Sequence, residues 1–197
     1  GYPVILISGY TCDHAFWMPV FEQLKNYFQV LVFDNRGVGE TKDDTKLLST
    51  ELMANDVVAL AEVLQLHKPH IVGHSMGSTI AQTIAHHHKD KISKVVLLAS
   101  TAKWRQATLR GLQMLTTLQQ IDASFDTQFN ALLPWIFGEK FLNDQSQIQE
   151  LKQAMLNNPY PPTVENQIRQ FEVLKNFNSH AFLKFIQVPI LIAHGTE

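Results

Sequence analysis

The chain has 197 residues, 45% hydrophobic and 17% charged, with 16 basic and 18 acidic side chains and a formal net charge of -2. That suits one globular domain with a sizeable core. No basic patch argues for nucleic acid, the longest apolar runs are strand-sized rather than membrane-spanning, and a lone cysteine, Cys12, makes no internal disulfide and fits a reducing, cytoplasmic compartment.

The chain enters Val4-Ile5-Leu6-Ile7 at once, an apolar, β-branched run that predicts a strand and leads into Ser8-Gly9-Tyr10-Thr11. Phe16 to Leu24 fits a helix, and Val30-Leu31-Val32-Phe33 predicts a second strand. Asp34-Asn35-Arg36-Gly37-Val38-Gly39 follows it. A dinucleotide loop would need a further glycine where Lys42 stands, so Asp34 and Arg36 are expected to brace the loop by hydrogen bonds instead. Ser49 or Thr50 can cap a helix with Met53, Val57, Leu60, Ala61 and Leu64 on one face. His70-Ile71-Val72 predicts a third strand, Ser78 to Ala85 a helix, and Val95-Val96-Leu97-Leu98 a fourth strand.

From about Thr101 to Gln187 no strand signal appears. Leu109, Leu112, Leu115 and Leu118 recur every third residue. Asn143 or Asp144 can cap a helix reaching Leu156. Asn158-Pro159-Tyr160-Pro161-Pro162 breaks the pattern, and Thr163 can cap the next helix. Val188-Pro189-Ile190-Leu191-Ile192 predicts the last strand. None of these strands alternates polar and apolar, which implies burial on both faces of a parallel sheet covered by helices. The expected fold is therefore α/β, mainly parallel, with helices on both faces and a helical insertion after the strand at 94–100. Residues 1–100 and 188–197 would form the core and 101–187 a lid.

The chemistry concentrates at Gly73-His74-Ser75-Met76-Gly77. G-x-S-x-G between a strand and a helix fits a nucleophile elbow, a turn too tight for bulky flanking residues. The helix that follows would aim free N–H groups and a partial positive charge at a developing oxyanion. The turn after the first strand lies at the same end of the sheet. The N–H groups of Tyr10 and Met76 are therefore expected to form the oxyanion hole, with Gly9 admitting the substrate closely.

These segments together resemble the α/β-hydrolase superfamily: the oxyanion turn Ser8-Gly9-Tyr10 with Trp17 beyond it, the D-x-R-G-x-G loop Asp34 to Gly39, the elbow Gly73 to Gly77, and the late strand Pro189 to Gly195. Within the lid, Leu132-Leu133-Pro134-Trp135-Ile136-Phe137 and Asn158-Pro159-Tyr160-Pro161 are similar to esterase and 3-oxoadipate enol-lactonase-like members. The resemblance implies hydrolysis of a carboxylic ester, lactone or thioester, a small-molecule substrate, through an acyl-enzyme on Ser75, with no metal or organic cofactor. Trp135 and Phe137 are the expected substrate contacts. A carbon–carbon bond hydrolase or cofactor-free peroxidase on the same site, or a binding protein without turnover, are the alternatives.

Two departures accompany the resemblance. Ser8 stands where the family usually has histidine. The family's triad order is Ser, acid, His, with the acid just after the late strand and the histidine several tens of residues later. Both ends of the chain read as cut, Glu197 falls one residue before the usual acid, and the chain as given is expected to lack a working triad. Among the nine histidines, His74 should point away from the nucleophile, His86-His87-His88 reads as a solvated helix end, His67 and His70 lie at the wrong end of the sheet, and His14 lies in the oxyanion loop, where substrate contact is its lesser reading. His180 precedes the last lid helix, and His194 suits packing. Cys12 reads as a small buried or loop thiol rather than a nucleophile.

Overall fold

The computed structural model describes residues 1–43, 45 and 47–195. Five strands form one sheet: β1 Tyr2–Ile7, β2 Phe28–Val32, β3 His70–His74, β4 Val95–Leu98 and β5 Ile190–Ala193. All are parallel, in the order β2-β1-β3-β4-β5. The chain runs outward from β1 to β2, then returns to the other side of β1 and runs outward again through β3, β4 and β5. The order thus reverses between β1 and β3, and ligand crevices of open α/β sheets form at the carboxyl ends of strands at such a reversal.

Burial on both faces explains the unbroken apolar runs. Val4 and Leu6 point to one side, where they pack with Trp17 and Leu24. Ile5 and Ile7 point to the other, against Met53, Val57, Ile80 and Ile84. Each such side chain, fully removed from water, contributes about 1.5–3 kcal/mol. Helix α1, Met18–Leu24, covers the first side, with Pro19 in its first turn, where a missing N–H costs nothing. Helices α2, Thr50–Val63, and α3, Met76–His87, cover the second.

The oxygen of Ser49 caps α2 by accepting the Leu52 N–H at 3.1 Å. The buried stripe of α2 is Met53, Ala54, Val57, Val58 and Ala61, whereas Leu64, expected on that face, closes the helix in an exposed position. Helix α3 is buried all round from Met76 to Ala85. Its polar residues turn inward on the helix: the hydroxyls of Ser78, Thr79 and Thr83 donate to the carbonyls of Ser75, Met76 and Thr79 at 2.6–2.9 Å. The two end strands depart from the expectation of two-sided burial: no residue of β2 is fully buried, and β5 departs further. It ends the sheet order and pairs with β4 alone among the described residues, and Leu191 and Ile192 are 62% and 65% exposed.

Between β4 and β5 the chain is helical: α4 Gln106–Gln120, α5 Phe125–Ile136, α6 Glu139–Leu142, α7 Gln145–Leu156 and α8 Val164–Asn176. The expected caps are present at Asp144 and Thr163, whose side-chain oxygens accept first-turn N–H groups of α7 and α8. On α4 only Leu109 of the four leucines is fully buried, because steps of three residues drift backward around a helix of 3.6 residues per turn. Both ends of the segment meet at Gln82 of α3. Its Nε2 donates to the Ser100 hydroxyl and the Thr101 carbonyl, and its Oε1 accepts from the Ser179 hydroxyl at 2.7 Å. Among the described residues, no helix is long and apolar enough to cross a membrane.

Candidate active site

Three glycines bring backbones together around Ser75. A Cβ on Gly73 would collide with the Gly77 carbonyl oxygen and lie 2.6 Å from its carbon. One on Gly77 would collide with the Ile7 carbonyl oxygen and lie 2.7 Å from that of Ser8. Strand β3, the start of α3 and the end of β1 therefore pack main chain to main chain. Gly9 completes the set: a Cβ there would sit 3.2 Å from both the Ser75 Cβ and the His74 Nδ1.

Between these contacts Ser75 has φ +52° and ψ -117°, a conformation that costs a non-glycine residue on the order of 1–3 kcal/mol and persists only where its surroundings hold it. Its N–H donates to the Leu98 carbonyl at 2.9 Å, which ties the elbow to β4. Its side chain is partly exposed, and its hydroxyl has no hydrogen-bond partner among the described residues. Met76 is the first residue of α3, so its N–H has no carbonyl one turn back to accept it. Gly9, Ser75 and Met76 are thus gathered in one place, with Tyr10 following directly on Gly9.

The turn after β1 is held from several sides. The Ser8 hydroxyl, standing where the resemblance suggested histidine, donates to the Asp13 carbonyl at 3.1 Å, and the Ser8 carbonyl accepts from Asn35 at 3.3 Å. Asp34 accepts the His14 N–H at 2.7 Å, pairs with the His14 Nδ1 at 2.9 Å, and accepts the Glu40 N–H at 3.0 Å, bracing two loops as expected of it. Arg36 reaches back to Asp56 on α2, with its Nη2 2.6 Å from the carboxylate. The Tyr10 hydroxyl donates to the Gln167 carbonyl of α8 at 3.1 Å and lies 3.3 Å from the Thr116 hydroxyl of α4. Burial raises the Tyr10 phenol above its ordinary pKa, against a smaller opposing effect of the Thr116 bond.

None of the nine histidines bonds to the Ser75 hydroxyl. The His74 ring lies over Phe16, centroids 4.6 Å apart, on the α1 side of the sheet. Burial lowers its pKa, and its Nδ1 is buried without a partner among the described residues. His14 is engaged with Asp34. His86 stacks on Phe182 at 4.7 Å and meets His87 edge to face at 4.5 Å, while His88 turns away to Asn55 at 2.8 Å. Among the described residues no group of three or more His, Cys, Asp or Glu gathers as metal ligands. His70 stacks on Tyr2 at the start of β3, and His180 and His194 are exposed. Burial, and secondarily the Asp13 carboxylate, pushes the Cys12 thiol up to about 12, which keeps it protonated. Glu197, the candidate acid, lies outside the described residues.

Trp135 is 47% exposed and crosses α4 at Gly111, where a Cβ would lie 2.7 Å from the indole. Phe137 instead stacks on Phe141 at 3.7 Å beside Phe129, Leu133 and Ile148, in the helical segment's own small core. A cavity of about 250 Å³ lined by Val57, Leu66, Pro69 and Ile92 lies at the amino ends of β3 and β4, at the far end of the sheet from Ser75.

The helical segment also grips the loops around the site, through residues to which the sequence analysis gave no bonding role. Asn158 donates to Asp13 at 2.8 Å and the Tyr160 hydroxyl to Glu40 at 2.7 Å. Gln170 accepts the Thr11 N–H at 2.7 Å. Arg169 pairs with Asp43, whose side chain is 0% exposed. Burial alone would raise the Asp43 pKa, but bonds from Thr45 and Arg169 outweigh it and hold the carboxyl below the ordinary range. A carboxylate with a depressed folded-state pKa stabilises the fold above the unfolded value, and that contribution is lost as pH falls through the folded value. Asp43→Asn should therefore lower the melting temperature most at neutral pH, with the gap to wild type closing below about pH 4. Parallel thermal melts from pH 7 to pH 3 check this. A gap that stays constant with pH would show that the Asp43 charge is not the source.

Known proteins resemble the chain along its whole length. The model of the family described as alpha/beta hydrolase fold matches residues 2–197. A pimeloyl-[acyl-carrier protein] methyl ester esterase of Vibrio cholerae is 28% identical over 202 residues, covering 99% of this chain and 75% of that protein. A protein described as a candidate non-heme bromoperoxidase, from Mycobacterium tuberculosis H37Rv, superposes with a TM-score of 0.85 at 25% identity, over 100% of this chain and 74% of that one. The enol-lactonase of Burkholderia xenovorans LB400 superposes with a TM-score of 0.83 at 20% identity, over 100% and 74%, a likeness of fold.

Proposed function

The chain belongs to the α/β-hydrolase fold family, and on that premise we propose that it hydrolyses a carboxylic ester, or a lactone or thioester, through an acyl-enzyme on Ser75. The observation that carries this reading is the elbow itself: Ser75 at φ +52° with Gly9, Gly73 and Gly77 packed closely around it and α3 starting at the next residue. The ester-cleaving relative in Vibrio cholerae supports the choice of bond.

In this mechanism the Ser75 oxygen attacks the substrate carbonyl carbon and the carbonyl oxygen becomes an oxyanion. The N–H groups of Tyr10 and Met76 receive that charge, aided by the positive end of α3. The serine proton must leave for a base. A histidine oriented by a carboxylate takes it and then delivers it to the departing alcohol. None of the nine histidines bonds to Ser75 in this structure, and that role is assigned to no residue. Water repeats the sequence on the acyl-enzyme and frees the acid. No step calls on a metal or an organic cofactor.

The helical segment acts as a lid, and Trp135, half-exposed beside α4, is its proposed apolar wall for the substrate, whereas Phe137 belongs to the lid's own core. Trp135→Ala should change the preference between short and long acyl esters by about 1–3 kcal/mol, as a lost apolar contact does. Equal changes in rate for both esters would remove Trp135 from the pocket. A second reading, a cofactor-free peroxidase or carbon–carbon bond hydrolase on the same site, draws on the bromoperoxidase likeness. Product analysis with a panel of esters, a β-diketone, and bromide with peroxide separates the two. Cleavage of the esters alone supports the first.

A further inference from the structure

The turn after β1 is closed by the Cys12 N–H, which donates to the Gly9 carbonyl at 3.2 Å. Inside it Thr11 has φ +58°, a left-handed conformation that a β-branched residue rarely adopts. The bond that holds the Thr11 peptide comes from the helical segment: its N–H donates to Oε1 of Gln170, on α8, at 2.7 Å. Gln170 is 1% exposed. An N–H can meet only an acceptor, so the amide is oriented by Thr11, and its Nε2 is left buried without a partner among the described residues. A methionine would fill the same space without stranding a donor. The bond to Thr11 is therefore what a glutamine contributes here. The neighbouring residue is held by the same helix, because the Tyr10 hydroxyl donates to the Gln167 carbonyl. Two consecutive residues of the turn, one by backbone and one by side chain, are thus fixed by α8.

We infer that Gln170 is a positioning residue for the oxyanion hole: it locks the Thr11 peptide and thereby aims the preceding N–H, that of Tyr10, at the carbonyl attacked by Ser75, so that seating of α8 and assembly of the hole are one event. The inference rests on the reading of Ser75 as nucleophile and Tyr10 as donor. Gln170 acts through Thr11 and does not touch the substrate. Its loss weakens an interaction that matters most as charge develops, so the effect falls on kcat rather than KM.

The test compares Gln170→Met, which keeps the volume and loses the acceptor, with Gln170→Glu, which keeps an acceptor, in the full-length protein with a p-nitrophenyl ester. The methionine variant should lose about 10- to 100-fold in kcat, less than outright removal of an oxyanion donor, with KM nearly unchanged. The glutamate variant should retain most of the activity. Hydrogen exchange at the Thr11 amide should be slow in wild type and in Gln170→Glu and fast in Gln170→Met. Unchanged kcat in the methionine variant, slow Thr11 exchange in it, or a glutamate variant as impaired as the methionine one would overturn the assignment. If the methionine variant does not fold, Gln170→Glu alone decides, and fast Thr11 exchange there refutes it. A wild-type protein that cleaves no ester but shows the exchange difference removes the hydrolase reading and leaves the coupling of α8 to the turn standing.

Discussion

Ser75→Ala is expected to lower ester turnover in the full-length protein on the order of a million-fold, the usual consequence of removing a triad nucleophile. The same change should leave folding nearly intact. The Ser75 hydroxyl bonds to nothing among the described residues, so no buried partner is stranded. Alanine bears the unusual backbone angles of this position much as serine does, since each carries a Cβ. Thermal melts and steady-state kinetics on the same preparation check both halves. Retained turnover with an unchanged melt would move the chemistry away from the elbow.

Gly77→Ala is expected to act through the fold instead. The new methyl group would press on the carbonyls of Ile7 and Ser8, both main-chain atoms of the sheet's central region. Neither can turn aside as a side chain would, so α3 must move off β1. The cost should reach about 3 kcal/mol or more, at or beyond the upper end of ordinary overpacking. Activity should fall as well, because the Met76 N–H moves with the start of α3. Gly111→Ala is the matched comparison. There the obstacle is the Trp135 indole, which can rotate away, and alanine improves helix propensity by up to about 1 kcal/mol. Urea denaturation of the two variants should separate them clearly. A Gly77→Ala protein as stable as Gly111→Ala would mean that the close approach of α3 to β1 is not required.

The parts of the molecule that were legible in the sequence are those fixed by short-range rules. β1, β3 and β4 showed as apolar runs because burial on both sides of a parallel sheet removes alternation. The caps at Ser49, Asp144 and Thr163 showed because an oxygen at that point satisfies otherwise unpaired N–H groups. The elbow showed because its pattern is local: Gly73 is demanded by the main chain of Gly77 and Ser78, only a few residues on.

What did not show depends on distant partners. Gln170 sits 159 residues from Thr11, and a lone glutamine on an amphipathic helix carries no pattern that points to a turn at the other end of the chain. Gln82 is as silent, although it joins Ser100, Thr101 and Ser179. The exposure of β5 was not legible because its composition matches the buried strands, and an end place in the sheet order, which it shares with β2, leaves no mark in the sequence. Leu64 misled for a local reason: the helix ends just before it, so the periodic face stops one turn short. Trp135 and Phe137 look alike in sequence, two aromatics near a proline, yet one crosses α4 at Gly111 and the other closes a small core with Phe141.

The central claim is that Ser75 is the nucleophile of a serine hydrolase. Exposure of the full-length protein to a fluorophosphonate, followed by proteolysis and mass spectrometry, tests it most directly. The account predicts a phosphonyl adduct on the peptide containing Ser75, formed in step with loss of ester turnover and absent from Ser75→Ala. Full inactivation with Ser75 unmodified, or an active enzyme left unlabelled at that residue, would contradict it.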